Sequence, residues 1–268
     1  MHMNGDYHVH TPFCPHGSND SIEMYIEQAL EKGIKELSFT EHAPLPVDFT
    51  DPTPDQDSAM SWEDLDAYIQ LIENAKKTYK SQIKINLGFE VDYIEGYEEA
   101  TTSFLDRYSH YIDDAILSVH MLRTPDYNYV CLDFSSEEFA RIIQLFGSVE
   151  AVYDKYYRTI EKAIISDLGA FKPNRIGHLT LIHKYQRKYA VDQSYNVTIE
   201  RLLDLIQEHH LELDVNTAGL YKEDCQELYP PLPIIEKAIQ KGIRWKPGSD
   251  SHVSGTIARG FDQLKVNK

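Results

Sequence analysis

Apolar positions along this chain follow two alternating rhythms. Short runs with the two-residue period of a strand lead into longer stretches with the 3.6-residue period of an amphipathic helix. Asp6 to Thr11 reads as a first strand, and Ser18-Asn19-Asp20-Ser21 offers N-cap chemistry for a helix in which Ile22, Tyr25, Ile26, Ala29 and Leu30 share a face up to Gly33. The unit then repeats. Ile34 to Thr40 is a strand ending in Glu41-His42-Ala43-Pro44, and a helix opens at Ser61 and runs to about Lys80. Strands follow at Ile83 to Tyr93 and Ala115 to His120, separated by a helix from Tyr97 to Tyr108. Tyr127 to Phe134 alternates Tyr, Val and Leu without helical caps, which predicts a small hairpin arm or an extra strand. Helices are expected at 136–145, 148–168, 197–209 and 233–242, and strands at 175–178, 211–216 and 243–247. This makes seven strand-then-helix alternations, the last without its full helix. Parallel strands with helices outside follow, so the chain is either a barrel or a doubly wound sheet. The Pro- and Asp-rich stretch Leu45 to Met60 is long for a compact domain, and a lid or rim over a site is expected there.

Polar residues gather where the strands end. His8 and His10 alternate onto one face of the first strand, and His16 ends a Pro-bounded loop that can return a third nitrogen to the same point. Neutral imidazole suits zinc, iron and manganese. Glu41/His42, His120, His178 and Asp250/His252 close later strands, and Glu90 follows Gly88-Phe89 in the same way. Any one of these could be a solvated strand end. Together they sit at the carboxyl ends of successive parallel strands, where α/β barrels gather their active sites.

Composition narrows the class. The 268 residues carry 26 Lys+Arg against 43 Asp+Glu, a net charge of −17, which argues against a nucleic-acid partner but not against a small anion at a metal cluster. The three cysteines, Cys14, Cys131 and Cys225, are far apart and form no CxxC pair, so a reduced, cytoplasmic setting is expected. Only Met1 to Gly5 precede the first strand, too little for a signal peptide, and no apolar run approaches membrane-spanning length.

The ordered motifs His8-Val9-His10, Thr40-Glu41-His42-Ala43-Pro44, Gly88-Phe89-Glu90-Val91-Asp92-Tyr93, Ser118-Val119-His120, Gly177-His178 and Gly248-Ser249-Asp250-Ser251-His252 resemble those of the polymerase and histidinol phosphatase (PHP) superfamily. Thr11 to Ser18 and the Thr50-Asp51-Pro52-Thr53-Pro54 loop resemble its monofunctional histidinol-phosphate phosphatase branch. The resemblance covers nearly the whole chain and implies a single PHP phosphatase domain over 1–268, folded as a distorted (β/α)7 TIM-like barrel. It implies two or three divalent ions, Zn, Mn or Fe. One would be held by His8, His10, Glu90 and Asp250, and a second by Glu90, His120 and His178. A third would take His16, His252 and one of Glu41 and His42, with Glu41 expected on the metal and His42 towards the leaving group. The implied reaction is hydrolysis of L-histidinol phosphate to L-histidinol and phosphate in histidine biosynthesis.

Such a reaction needs an activated water, neutralised phosphoryl oxygens and a protonated leaving group. Metals supply the first two, and His42 is the expected general acid. Arg158 and Arg187 are the expected phosphate clamps, because Arg matches phosphate bidentately. Asp20, Asp51 and Asn216 are candidates for the substrate end, and Cys14 is expected to be a small buried packing residue. Two other readings share these motifs. A PHP phosphoesterase or exonuclease on nucleotides or nucleic-acid ends needs a basic groove that −17 does not favour. A scaffold or sensor with a structural cluster would close every metal position with protein ligands, whereas nine candidate ligands over three ions leave positions open. Nothing in the sequence fixes an oligomeric state.

Overall fold

A computed structural model describes residues 4–264. Its strands and helices alternate as β1 (Gly5–Val9), α1 (Ile22–Glu31), β2 (Glu36–His42), α2 (Leu65–Tyr79), β3 (Lys84–Asp92), α3 (Glu98–Tyr108) and β4 (Asp114–Ser118). A short antiparallel hairpin, β5 (Met121–Arg123) and β6 (Tyr129–Cys131), forms the expected arm. Next come α4 (Ser136–Phe146), α5 (Val149–Ile165), β7 (Arg175–Ile176), α6 (Asn196–Glu208), β8 (Glu212–Asn216), α7 (Leu232–Gln240) and β9 (Trp245–Gly248).

Seven strands pair in parallel in the order β1-β2-β3-β4-β7-β8-β9. The two edges then meet, because Asp250 N donates to His8 O at 2.8 Å and His10 N to Ser251 O at 2.9 Å. The result is a nearly closed, distorted (β/α)7 barrel, and the doubly wound alternative is excluded. After β9, among the described residues, two 3-10 turns follow, at Ser254–Thr256 and Phe261–Gln263. A further 3-10 helix, Leu181–Tyr185, was not expected from periodicity. Strand β7 is shorter than predicted, although Gly177 N still donates to Leu117 O of β4 at 2.9 Å.

The period-2 phase of the strands explains both faces. In β2, Leu37 and Phe39 are buried in the apolar core with residues of α1 and α2, such as Tyr25 and Tyr68. Ser38, on the opposite phase, reaches Asp114 at 2.7 Å. The same phase in other strands carries Asp6, His8, Glu90, Asp114, Ser118, Arg175 and Asp214, all buried. The barrel interior is therefore polar. Gly248 is needed for this closure, since a Cβ there would fall 2.5 Å from His8 Cβ.

Among the described residues no helix is long and apolar enough to cross a membrane.

Candidate metal centre

Glu90 lies at the middle of the carboxyl-end cluster. Its Oε2 is 3.1 Å from His8 Nε2, 3.4 Å from His10 Nε2 and 3.3 Å from His42 Nδ1. Its Oε1 is 2.9 Å from His178 Nε2 and 3.7 Å from His120 Nε2, and also accepts from Ser118 Oγ at 2.5 Å. One carboxylate thus faces two groups of imidazoles, one with each oxygen. Asp250 Oδ1 lies 3.2 Å from His10 Nε2 and 3.7 Å from His8 Nε2. Its backbone is left-handed, φ 53, a conformation Asp tolerates better than most residues, and this turns its carboxylate towards the two histidines.

Behind the imidazoles stands a second set of acceptors. His8 Nδ1 donates to Asp214 at 2.9 Å, His10 Nδ1 to Glu41 at 3.1 Å and His120 Nδ1 to Asp92 at 2.7 Å. Backbone carbonyls do the same elsewhere: His16 Nδ1 meets Asp57 O at 2.8 Å, and His252 Nδ1 meets Asp250 O at 3.1 Å. An Nδ1–H held in this way leaves Nε2 as a lone-pair donor, the tautomer a metal needs. In three sets the candidate ligand atoms all lie within 4.8 Å of one another: His8, His10 and Glu90; Glu90, His120 and His178; and His10, Cys14, His42 and His252. The His16 ring lies 5.2 Å from that of His42 and 5.0 Å from that of His252.

Charge follows the geometry. Burial opposes ionisation of Glu90 and Asp250, yet the imidazoles, His8 foremost, hold both carboxyls well below their usual range. Burial also works against charge on His8 and His10, but the carboxylates outweigh it and raise both well above the ordinary imidazole value. Burial first, then the imidazole of His10, pushes His42 and His252 well below it. The pocket attracts positive charge and keeps two of its imidazoles neutral.

Glu41 and His42 leave the end of β2 in opposite directions. Glu41 is fully buried, and besides His10 it accepts from Thr11 N at 2.7 Å, Thr11 Oγ1 at 2.5 Å and His42 N at 2.9 Å. With both oxygens engaged, it is a brace for His10. His42 pairs in register with Glu90 and so faces the barrel interior, where its Nδ1 is buried without a hydrogen-bond partner. A buried neutral imidazole with a free nitrogen offers a lone pair to the cluster.

A cavity of about 430 Å³ opens over the cluster, lined in part by His16, His42, Glu90, His120, His178, Asp250 and His252. Neither expected arginine reaches it. The Arg158 side chain is 73% exposed on α5, 4.0 Å from Asp154, and Arg187 donates to Glu223 O at 3.2 Å. The cations that do line it are Lys184, Lys222 and Arg259, none of which lies in a recognisable motif. The acid candidates are corrected as well. Asp20 is taken by Ser254 N and Oγ at 2.9 and 2.7 Å, and Asp51 knots its own loop through Thr53 and Ser58. Asn216 donates to Asp250 Oδ2 at 3.1 Å and so steadies the cluster. Cys14 is buried, as expected, and its thiol is pushed up to about 12, by burial first and then by Glu41.

A barrel whose strand ends carry this His- and carboxylate-rich cluster belongs to a known class. The chain belongs to the PHP domain family, whose match runs over residues 6–218. Within it, the chain is 46% identical over 259 residues to the histidinol-phosphatase of Bacillus subtilis (strain 168), with 96% of each protein covered. A Listeria monocytogenes crystal structure assigned to the histidinol phosphatases is 38% identical, with TM-score 0.93 over 97% of this chain and 99% of that one. A histidinol phosphate phosphatase from Lactococcus lactis, complexed with Zn, L-histidinol and phosphate, shares the fold at 19% identity, with TM-score 0.69 over 98% and 92% of the two chains.

Proposed function

We propose that this chain is a histidinol-phosphatase of one PHP domain, hydrolysing L-histidinol phosphate to L-histidinol and phosphate in histidine biosynthesis. The observation that carries the chemistry is Glu90, set between two groups of imidazoles with one oxygen towards each. The substrate follows from the 46% identity, over almost the full length of both, to the B. subtilis histidinol-phosphatase.

The donor set fits divalent metal ions. Buried nitrogens His10 Nε2, His42 Nδ1, His178 Nδ1 and His252 Nε2 lack hydrogen-bond partners, and His120 Nε2 sits 3.1 Å from His178 Nε2, two lone-pair donors face to face. We assign one ion to His8, His10, Glu90 and Asp250, a second to Glu90, His120 and His178, and a third to His16, His42 and His252. Imidazole with carboxylate suits Zn, Mn or Fe. Bound there, the ions supply an activated water and the positive charge that a phosphoryl group in transfer requires.

The chain's own residues prepare that chemistry. Asp214, Glu41 and Asp92 fix three imidazoles by accepting their Nδ1–H groups. Lys222 and Arg259 face the cavity with no carboxylate partner among the described residues and are the groups left to meet phosphate oxygens, in place of Arg158 and Arg187. The cavity is sized for a small ester.

The test is phosphate release by metal-reconstituted protein from L-histidinol phosphate, beside nucleotides, sugar phosphates and single-stranded DNA. Selective turnover of L-histidinol phosphate, abolished by chelation, is expected. Equal or faster turnover of nucleotides or DNA would refute the substrate and keep the metal centre.

A further inference from the structure

The cavity holds one charge that the cluster does not use. Four carboxylates line it: Asp57, Glu90, Asp133 and Asp250. Glu90 and Asp250 lie among imidazoles, and Asp133 is paired with Lys184 at 3.0 Å. Among the described residues of that lining, Asp57 is the only carboxylate that faces neither a Lys or Arg nor the imidazole cluster. Its one side-chain contact is a long 3.4 Å bond from Thr53 Oγ1 to Oδ1, which leaves Oδ2 open.

Its place is fixed on both sides. The backbone carbonyl of Asp57 accepts His16 Nδ1 at 2.8 Å, tying the residue to the edge of the metal cluster. Asp51 holds the surrounding loop by accepting from Thr53 N at 2.9 Å, Thr53 Oγ1 at 2.8 Å, Ser58 N at 3.0 Å and Ser58 Oγ at 2.7 Å. The long loop is therefore a braced rim that presents one carboxylate. Asp57 is part-buried on the cavity wall, and among the described residues no cation meets its carboxylate, so the countercharge is left to a ligand. Unpaired cations, Lys222 and Arg259, line the same cavity. A ligand complementary to this pattern carries an anionic group and a cationic one a short distance apart.

We propose that Asp57 binds the substrate ammonium and is the residue by which the site selects phosphate esters of amino alcohols. This rests on the histidinol-phosphatase reading. In L-histidinol phosphate the amine sits on the carbon next to the ester-bearing carbon, so once the phosphate lies over the cluster the ammonium lies beside it, where His16 anchors Asp57.

The experiment compares wild type, Asp57→Asn and Asp57→Glu on two esters: L-histidinol phosphate and its deamino counterpart, in which hydrogen replaces the amine. Asn keeps the backbone contact to His16 and removes only the charge. For Asp57→Asn we expect kcat/KM on L-histidinol phosphate to fall roughly tenfold to a hundredfold, chiefly through KM, with the deamino ester changed less than about twofold. Bound metal should stay at the wild-type level, and Asp57→Glu should recover part of the selectivity. Equal losses on both esters, with or without loss of metal, would make Asp57 merely a support for His16 and overturn the proposal. So would a wild type that does not distinguish the two esters. A wild type inactive on L-histidinol phosphate would instead overturn the functional reading on which the proposal stands.

Discussion

The two ends of this barrel both bury charge, and they balance it in opposite ways. On the floor, Asp114 meets Arg175 Nη2 at 3.1 Å, Lys246 Nζ at 3.3 Å and Ser38 Oγ at 2.7 Å. Arg175 also donates to Tyr7 O at 2.8 Å, although its Nε and Nη1 stay without partners. Cation and anion there come from the same chain. At the mouth, Glu90 and Asp250 meet no Lys or Arg among the described residues, only one neutral donor each, Ser118 and Asn216, and imidazoles, four of which keep a buried nitrogen unpartnered. Charge matched by side chains holds the strands together, whereas charge left to be matched from outside makes a binding site.

The contrast breaks most sharply at Glu90. Glu90→Gln keeps the shape and removes the charge that two imidazole groups share. Loss of ions that contribute several kcal/mol to the transition state means a fall in kcat of about a thousandfold or more. Elemental analysis should show less bound metal, while the melting curve of the metal-free protein changes little. Full metal content with near-normal turnover would remove Glu90 from the centre.

Arg175→Met is the matching cut on the floor. Removing one partner of a buried pair costs about 3 kcal/mol, at the low end because Lys246 still faces Asp114. For a chain this size that lowers Tm by roughly 6–12 °C, with metal content and kcat unchanged. The pH dependence has a definite sign. Burial opposes ionisation of Asp114, but Arg175 and then Lys246 prevail and hold its carboxyl below the ordinary value. A depressed carboxyl adds stability above its unfolded pKa of about 4 and loses it as pH falls through the lower folded value. The gap in Tm between variant and wild type should therefore narrow on acidification. A gap that widens would mean Asp114 is not the partner that matters.

Glu41→Gln and His42→Ala sharpen the comparison within the mouth itself. A brace behind a ligand contributes roughly tenfold to a hundredfold in metal affinity. Glu41→Gln should therefore lose activity at limiting metal and regain most of it when metal is added in excess. His42→Ala should stay impaired at any metal concentration. The reverse outcome would restore Glu41 as the ligand.

That pair also shows what the sequence carried and what it did not. The alternation of apolar and polar runs was enough for the barrel, and the gathering of His8, His10, Glu90, His120, His178, Asp250 and His252 was legible because each lies at or near the carboxyl end of a strand. The opposite directions of Glu41 and His42 were also signalled, by the phase of their strand. In Glu36-Leu37-Ser38-Phe39-Thr40-Glu41-His42 the apolar residues share the phase of Glu41, and the inward phase runs Ser38, Thr40, His42. The same phase in Leu211-Glu212-Leu213-Asp214-Val215-Asn216 points Asp214 and Asn216 inward, and Asp214 went unnoticed because it was read as part of a strand rather than as a strand end. The cavity cations had no such signal. Lys184 stands on a 3-10 helix, and Lys222 and Arg259 in loops, where residue spacing says nothing about which side chains meet.

The smallest effect is expected at the two arginines that the sequence favoured. Arg158 spends its charge on Asp154, one turn away on the same exposed helix face, a pairing that contributes little in water. Arg187 is held by the carbonyl of Glu223 and does not line the cavity. Arg158→Ala and Arg187→Ala should each leave kcat/KM for the phosphate ester within about twofold and stability within about 0.5 kcal/mol. An interaction with the transferring phosphoryl group should instead appear as a loss of tenfold or more, because a charge-assisted hydrogen bond there contributes roughly 1.5–3 kcal/mol. A tenfold loss at either arginine, with metal content intact, would mean that the side chain swings into the site when substrate binds, and that the cationic half of the cavity is not confined to Lys184, Lys222 and Arg259.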